Sequence, residues 1–276
     1  MLKQRLITAA LLIPLVIWAI FSLSNALMAM VLVAIALIAA WEWAGMLQFK
    51  TLIARGLYAA FVGLLAYALL VGQKDLESVV LLVLGLAALW WLMATIWVLK
   101  YRAKTELSGA DKVLGIFIGL TVIVPSCLAM SLLHGYGEQG PYLLFFLILL
   151  TSVADSGAYF SGRRWGKHKL APVVSPGKTI EGAVGALVAT VAVACAGAVY
   201  FDLAVIDLVW FLPLCLVTVA VSIVGDLLES LFKRRAGLKD SGRILPGHGG
   251  IMDRIDSLTA AAPLFALGLV VFGLAK

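Results

Sequence analysis

The chain has 276 residues, of which 63% are hydrophobic and 13% are charged, with a formal net charge of +6. This composition excludes an ordinary soluble domain, in which about 25% of the residues are charged. Because a spanning helix needs about 20 mostly apolar residues, the sequence predicts an all-α, polytopic membrane helix bundle of about nine transmembrane helices. We place the spans at residues 6–22, 26–47, 54–72, 79–99, 113–133, 142–160, 180–201, 208–229 and 257–275.

The basic residues predict how these spans are oriented. With a cytoplasmic N-terminus, every Lys and Arg except Lys74 and Lys276 lies on the cytosolic side, which satisfies the positive-inside rule. The net charge is therefore mostly topological, and it also suits anionic lipid headgroups and nucleotides, whereas nucleic acid is not an expected partner. A signal peptide that ends near Ser24 is an alternative interpretation of the first segment. We favour an uncleaved helix, because the apolar run is long for a signal peptide.

Polar residues divide the chain into two parts. Residues 1–140 carry few of them and are predicted to form a scaffold, with dimerisation as a further role. Residues 141–276 are predicted to form a catalytic region with a polar cavity on the cytosolic side. Glu42 is the exception in the first part, because an acid inside a span is a functional candidate unless it reaches water or a basic partner at the helix end.

A polar run at residues 230–256 separates the last two apolar segments. If the preceding helix continues into the run, four polar residues share one of its faces: Asp226, Ser230, Lys233 and Arg234. Residues 237–250 contain too many glycines for a helix and predict a loop whose amides can approach a ligand. Asp253 and Asp256 follow at i and i+3, and such paired carboxylates suit a hard cation such as Mg²⁺.

Two further polar clusters precede this run. Asp155 and Tyr159 lie at i and i+4 near the end of the sixth span, so they share a face that we expect to line a cavity. Arg163 and Lys167 come next and either attract phosphate or anchor the helix end.

The second cluster, Ser175, Lys178 and Thr179, lies before the seventh span, where free amides and the helix dipole favour an anion. The adjacent Gly-Lys-Thr is not a Walker A motif, because Pro172 stands where that motif requires glycine and no strand is expected before it. We expect Ser175 or Thr179 to cap the helix and Pro176 to start it.

Together these motifs resemble the signature of the phosphatidate cytidylyltransferase family, also called CDP-diacylglycerol synthases. The match is close within residues 230–256 and looser from about Asp155, where residues 175–182 read Ser-Pro-x-Lys-Thr-x-Glu-Gly. The matching residues of the run are Ser230, Lys233, Arg234, Lys239, Asp240, Gly242, Leu245, Pro246, His248, Gly249, Gly250, Asp253, Arg254 and Asp256. The resemblance implies cytidylyl transfer from CTP to phosphatidate by a homodimer in the bacterial inner membrane, with the active site facing the cytoplasm and pyrophosphate as the second product.

Charge and spacing, supported by this resemblance, suggest a role for each candidate residue. The expected Mg²⁺ ligands, with a second cation left open, are Asp226, Asp253 and Asp256. The expected phosphate contacts are Lys233, Arg234, Lys239, Arg243 and Arg254, with Ser175, Lys178 and Thr179 on a second phosphate group, for which the lipid phosphate is one candidate. The remaining substrate-binding candidates are Ser230, Arg163, Lys167, Asp155, Asp240 and Glu181, the last two by orienting basic neighbours. His248 either bonds the leaving pyrophosphate or supports the loop.

The candidate residues include no activated nucleophile, since Ser230 has no histidine at a fixed spacing. They fit a nucleotidyl transfer in which an ionised phosphate oxygen attacks while the protein positions the substrates and neutralises charge. Two alternatives stay open. A transporter for an anionic solute is expected to show paired internal halves and polar breaks near mid-membrane. The second alternative is an enzyme that uses CTP to act on a polyprenol or an ether-linked lipid. No feature of this sequence distinguishes such an enzyme from one that acts on phosphatidate.

Overall fold

The computed structural model describes residues 2–73, 77–101 and 108–274 of the chain. Within these ranges the helices are α1 (Leu2–Ser22), α2 (Asn25–Met46), α3 (Leu52–Gly72), α4 (Glu77–Leu99), α5 (Gly109–His134), α6 (Gly140–Trp165), α7 (Ile180–Tyr200), α8 (Leu208–Arg235) and α9 (Met252–Val271). A short 3-10 turn, Gly137–Gln139, precedes α6, and strands β1 (Lys169–Ala171) and β2 (Ser175–Thr179) form a hairpin before α7. Lys74 and Lys276, predicted on the far side of the membrane, lie outside the described residues.

Eight of the helices in the described part of the chain, α2 to α9, are long and apolar enough to cross a bilayer. The apolar part of α1, Leu6–Ser22, is shorter and lies at the lower end of the required length. Large apolar side chains are exposed along these helices, as expected for surfaces that face lipid instead of water. The protein is therefore a polytopic all-α membrane protein, as the composition predicts.

Several helices extend into the polar end of the bundle beyond the predicted spans, among them α6, α8 and α9. α6 continues to Trp165, α8 continues to Arg235, and α9 begins at Met252. Hydropathy places these boundaries too far inside the helices, because it treats charged residues as lying beyond the helix end. In α8 the charges support the helix instead, since Lys233 pairs with Glu229 one turn before it.

The hairpin corrects the expectation for residues 175–179. Pro176 does not start α7; it lies in β2, whose residues Thr179 and Ser175 pair with Lys169 and Ala171 of β1. A two-stranded hairpin has only edge strands, so a proline without an N–H group is tolerated there. Thr179 is the cap, since its hydroxyl accepts a hydrogen bond from the Gly182 amide at 3.0 Å.

Small residues bring neighbouring helices into close contact. The backbone of α7 at Gly185 lies against Ser161 and Gly157 of α6, leaving no space for a Cβ atom. Gly225 of α8 packs in the same way on the Asp256 carbonyl group of α9. One core of buried side chains extends through both parts of the chain, from Met28 on α2 to Leu269 on α9.

The two ends of the bundle differ in polarity. At one end, Thr8 near the start of α1 donates a hydrogen bond to the Pro246 carbonyl oxygen at 2.9 Å, so α1 begins beside the loop that joins α8 to α9. At the opposite end, His134 at the end of α5 contacts the Asn25 side chain at 3.3 Å and the Ile20 carbonyl oxygen at 2.9 Å. The candidate site lies at the end that contains the start of α1.

Candidate active site

A cavity between α6, α7 and α8, here named the α6–α8 cavity, collects part of the predicted site. Its volume is about 380 Å³, and its polar walls come from Asp155, Tyr159, Arg163, Lys178, Thr179 and Asp226. The expectation that the Asp155 face of α6 lines a cavity is therefore confirmed. The walls of the cavity carry both carboxylates and cations. Because its helical walls belong to membrane-spanning helices, an amphipathic ligand can place a charged group in the cavity.

Lys178 and Asp226 form the central ion pair of this cavity. The Lys178 ammonium nitrogen lies 2.6 Å from Asp226 Oδ2, and about a quarter of each side chain is exposed. The other oxygen of Asp226 accepts a hydrogen bond from the Ser230 hydroxyl at 3.2 Å, one turn further along α8. This contact confirms that Asp226 and Ser230 share a helix face.

Asp226 also lies within electrostatic range of two further carboxylates. It interacts unfavourably with Asp155 on α6 and with Asp256 on α9, and Lys178 offsets part of the repulsion at both. Arg254 interacts favourably with Asp155. Among the described residues, no three His, Cys, Asp or Glu side chains are grouped closely enough to hold a metal ion by themselves. Any cation here therefore requires further ligands from substrate or water.

Asp253 lies in a different environment from Asp226. Its Oδ1 atom accepts a bond from the buried Lys233 ammonium group at 2.7 Å, and Lys233 also pairs with Glu229. Its Oδ2 atom accepts bonds from the Ser241 amide at 2.9 Å, the Ser241 hydroxyl at 2.8 Å and the Gly250 amide at 2.8 Å. Both oxygens are thus occupied by protein donors, and Asp253 connects α8, the loop and α9.

Glu42 reaches the same loop from α2. It is 3% exposed, and its carboxylate accepts hydrogen bonds from the Ile251 amide at 3.1 Å, the Met252 amide at 2.8 Å and the Ser241 hydroxyl at 3.2 Å. The sequence had suggested that Glu42 could reach water or a basic partner, but the side chain is buried and forms no ion pair with the residues that the structure describes. Instead it satisfies free amides at the start of α9, where a negative charge also complements the helix dipole.

The loop at residues 237–250 is irregular, as predicted. Gly237, Gly247 and Gly249 have φ angles of +69°, +77° and +83°, a region that residues with a Cβ atom rarely adopt. The loop carries three of the predicted substrate-binding residues, Lys239, Asp240 and Arg243, to a second cavity, separate from the α6–α8 cavity. The buried Nδ1 atom of His248 has no hydrogen-bond partner among the described residues.

Several predicted residues lie away from the α6–α8 cavity. Ser175 is in β2, and Lys167 is exposed at the turn between α6 and the hairpin. Glu181 binds His168, with 2.7 Å between Oε1 and Nδ1, so it holds the hairpin to the start of α7. Arg234 donates a hydrogen bond to the Leu238 carbonyl oxygen at 3.4 Å. It is not among the residues that line the α6–α8 cavity.

Comparison with known proteins identifies the family of this site. A model of the cytidylyltransferase family matches residues 3–272. The chain belongs to the cytidylyltransferase family. A protein named phosphatidate cytidylyltransferase from Haemophilus influenzae is 36% identical over 281 residues, covering 96% of this chain and 98% of its own. One of the same name from Pseudomonas aeruginosa is 42% identical over 267 residues, covering 96% of both chains. A third, from Staphylococcus saprophyticus, is 44% identical over 136 residues, about half of each chain.

The first two relatives extend over both parts of this cytidylyltransferase, so the similarity includes the N-terminal helices as well as the polar run. Those helices supply contacts that sequence analysis missed. Glu42 was flagged without its partners, and Lys50 and Arg55 were treated only as topological charges although they line the second cavity. The pairing of the buried Arg235 with Asp111, at 2.6 Å, was also missed. A pattern of charges within one segment carries no signal for contacts of this kind.

Proposed function

We propose that the protein is a phosphatidate cytidylyltransferase, which transfers the cytidylyl group of CTP to the phosphate of phosphatidate. The observation that carries this proposal is the α6–α8 cavity, in which Asp226 and Lys178 meet between membrane-spanning helices at the polar end of the bundle. The printed names of the relatives, which extend over nearly the whole chain, support the same substrate pair.

The reaction needs positioning and charge neutralisation more than covalent catalysis. A phosphate oxygen of phosphatidate, ionised at neutral pH, forms a bond to the α-phosphorus of CTP, and the bond between that phosphorus and the α–β bridging oxygen breaks. Both electrons of that bond leave with pyrophosphate. Lys178 and Arg163 are placed to bind phosphate oxygens in the cavity, because both cationic side chains line its wall.

We assign Mg²⁺ to Asp226 and Asp256. These two carboxylates repel each other, and Mg²⁺ commonly takes one or two carboxylates together with substrate phosphates and water, so the donor set fits. When bound, the ion neutralises phosphate charge as the two polyanions approach. Asp253 fits this role less well, because its oxygens already accept four hydrogen bonds from Lys233, Ser241 and Gly250. We place it as a positioning residue.

The orientation and assembly belong to the same proposal. The cavity faces the cytoplasm of a bacterial inner membrane, as the distribution of Lys and Arg suggests, and the relatives are bacterial proteins. Phosphatidate enters from the inner leaflet between the spans, and CTP enters from the aqueous end. A homodimer is expected on the strength of the family resemblance alone.

The deciding experiment is incorporation of radiolabelled CTP into lipid by the purified protein in detergent with phosphatidate, with and without Mg²⁺. We expect product that depends on Mg²⁺ and disappears in Asp226→Asn, while the variant elutes from size-exclusion chromatography like the wild type. Glu138→Gln, an exposed change at the opposite end of the bundle, serves as the control. Faster reaction with a polyprenyl phosphate or an ether-linked acceptor would reject phosphatidate as the substrate. Absence of any CTP-dependent product from folded protein would reject the enzyme class.

A further inference from the structure

A second cavity lies outside the proposed site of phosphoryl chemistry. We name it the loop cavity; it lies between the α2–α3 turn and the loop that follows α8, and its volume is about 660 Å³. This volume is within the usual range for small-molecule sites, roughly 300–1,000 Å³. Four cations line it, Lys50, Arg55, Lys239 and Arg243, with Asp240 as the one acidic residue of its wall.

The four cations of the loop cavity form no ion pair with any residue that the structure describes, whereas Lys233, near the end of α8, lies between two carboxylates. Arg55 is held in place by a bond from its Nε atom to the Phe49 carbonyl oxygen at 3.2 Å, which leaves its outer nitrogens for a ligand. Like charges gathered around one cavity repel, so an anion of high charge stabilises them.

The position of the loop cavity favours a water-soluble anion over a lipid headgroup. Most of its wall comes from segments beyond the ends of α2 and α8, including Gln48, Lys50, Lys239 and Arg243. The α6–α8 cavity, by contrast, is lined mainly by residues within the spans. A ligand can therefore enter the loop cavity from the aqueous end without crossing the lipid-facing surface.

The loop cavity is also connected to the reaction machinery. Ser241 lies in its wall and donates two hydrogen bonds to Asp253, which in turn holds Lys233. An anion that contacts Ser241 therefore touches a residue that is hydrogen-bonded directly to Asp253.

We propose that the loop cavity binds the β- and γ-phosphates of CTP, which leave as pyrophosphate, and that Lys50 and Arg55 are substrate-binding residues supplied by the N-terminal part of the chain. This inference rests on the proposed cytidylyltransferase function. It gives the two substrates separate entrances: phosphatidate reaches the α6–α8 cavity from the bilayer, and the nucleotide phosphates are held at the aqueous end. The pyrophosphate product leaves by the loop cavity.

The test is the kinetics of Lys50→Ala, since Lys50 is exposed and its substitution leaves the core unchanged. We expect the KM for CTP to rise about tenfold, the loss expected for one charge-assisted hydrogen bond. The KM for phosphatidate should stay within about twofold, because the lipid does not reach this wall. Arg55→Lys, which keeps the charge and loses the planar fork, should give a smaller rise. Lys100→Ala removes an exposed cation outside the cavity and should leave both constants unchanged.

Equilibrium binding of radiolabelled CTP to the same proteins, without phosphatidate, separates this inference from the proposed function. Weaker CTP binding by Lys50→Ala supports the loop cavity even if no lipid product forms. If the wild type makes product and Lys50→Ala has an unchanged KM for CTP, the inference is wrong and the function stands. A rise confined to the KM for phosphatidate would assign the cavity to the lipid phosphate instead and also overturn the inference.

Discussion

Asp226 and Asp253 were both predicted as metal ligands, yet their surroundings in the structure indicate different roles. Asp226 is partly exposed in a cavity and has one ion pair, with Lys178. Asp253 accepts four hydrogen bonds and balances the buried Lys233. Removing the charge of a carboxylate in the second environment leaves a buried cation with too little compensation, which is far more costly to the fold than a loss at the surface.

The paired variants Asp226→Asn and Asp253→Asn should therefore differ in stability. We expect both to lose activity by about a hundredfold or more, as for the removal of one catalytic electrostatic contact. Only Asp253→Asn should lower Tm, by about 5 °C or more, because it breaks a buried ion pair. Activity assays and thermal unfolding in detergent test this expectation. Equal Tm values for the two variants would return Asp253 to the metal site.

Lys178 offers a separate test of lipid binding. Its ammonium group lies on the wall of the α6–α8 cavity, so Lys178→Ala should raise the KM for phosphatidate by about tenfold, with kcat changed by less than about threefold. The control is Lys169→Ala, an exposed lysine of the same hairpin that does not line the cavity. Steady-state kinetics with each substrate varied in turn provides the measurement. A fall in kcat alone would contradict a role in simple substrate binding.

Sequence reasoning was most successful for contacts within one helix. The spacing of Asp226 and Ser230 predicted their shared face, and Asp155 with Tyr159 predicted a cavity wall. It failed where partners are distant in sequence, because no local period encodes them. Ser241 and Glu42, which are 199 residues apart, are the clearest example.

The contact between α8 and α9 sets the separation of Asp226 from Asp256. Gly225, next to Asp226, lies so close to α9 that a Cβ atom would be 2.5 Å from the Asp256 carbonyl oxygen and 2.9 Å from Ala260 Cβ. Backbone atoms cannot rotate away as a flexible side chain can. An added methyl group must therefore displace α9 together with its carboxylate.

We accordingly expect Gly225→Ala to reduce kcat about tenfold or more and to lower Tm by about 2–6 °C, the usual result of overpacking. Gly85→Ala is the matched control, because no atom lies within 4 Å of the position its Cβ would take on α4. The same assay and thermal scan apply to both variants. Wild-type kinetics in Gly225→Ala would show that the spacing of these two helices is not critical for turnover.

The hairpin between α6 and α7 illustrates why some elements escape prediction. Residues 175–179 contain Pro, Gly and Thr, a composition that also suits the first turn of a helix. What holds the strands is mutual pairing between Lys169 and Thr179 and between Ala171 and Ser175, together with the bond from Glu181 to His168. Neither contact has a periodic signature.

The apolar spans themselves were predicted well, since hydrophobic length alone determines where a chain can cross a bilayer. Their arrangement was not. The division at residue 140 stays a prediction, and Glu42 of α2, Lys50 of the α2–α3 turn and Arg55 of α3 lie beside the loop that follows α8. Packing between helices depends on which side chains lie on each helix face, and a hydropathy profile, which averages over all faces of a segment, does not record this.

The orientation of the bundle can be measured directly in cells. In a variant without the three native cysteines, a cysteine at Lys169 should resist a membrane-impermeant thiol reagent added outside intact spheroplasts, and a cysteine at Glu138 should react. Both positions are exposed, and they lie at opposite ends of the bundle. Permeabilised spheroplasts, in which both positions should react, control for reactivity. Labelling of the Lys169 position from outside would reverse the proposed topology.

The contacts of Glu42 also bear on how the protein is made. Its partners at Ser241, Ile251 and Met252 are translated about two hundred residues after it, which takes about 10–40 s at ordinary elongation rates. During that time the nascent α2 carries an acid whose final hydrogen-bond donors do not yet exist. Docking of α9, which is translated long after α2, therefore supplies the hydrogen-bond donors that the buried Glu42 carboxylate of α2 requires.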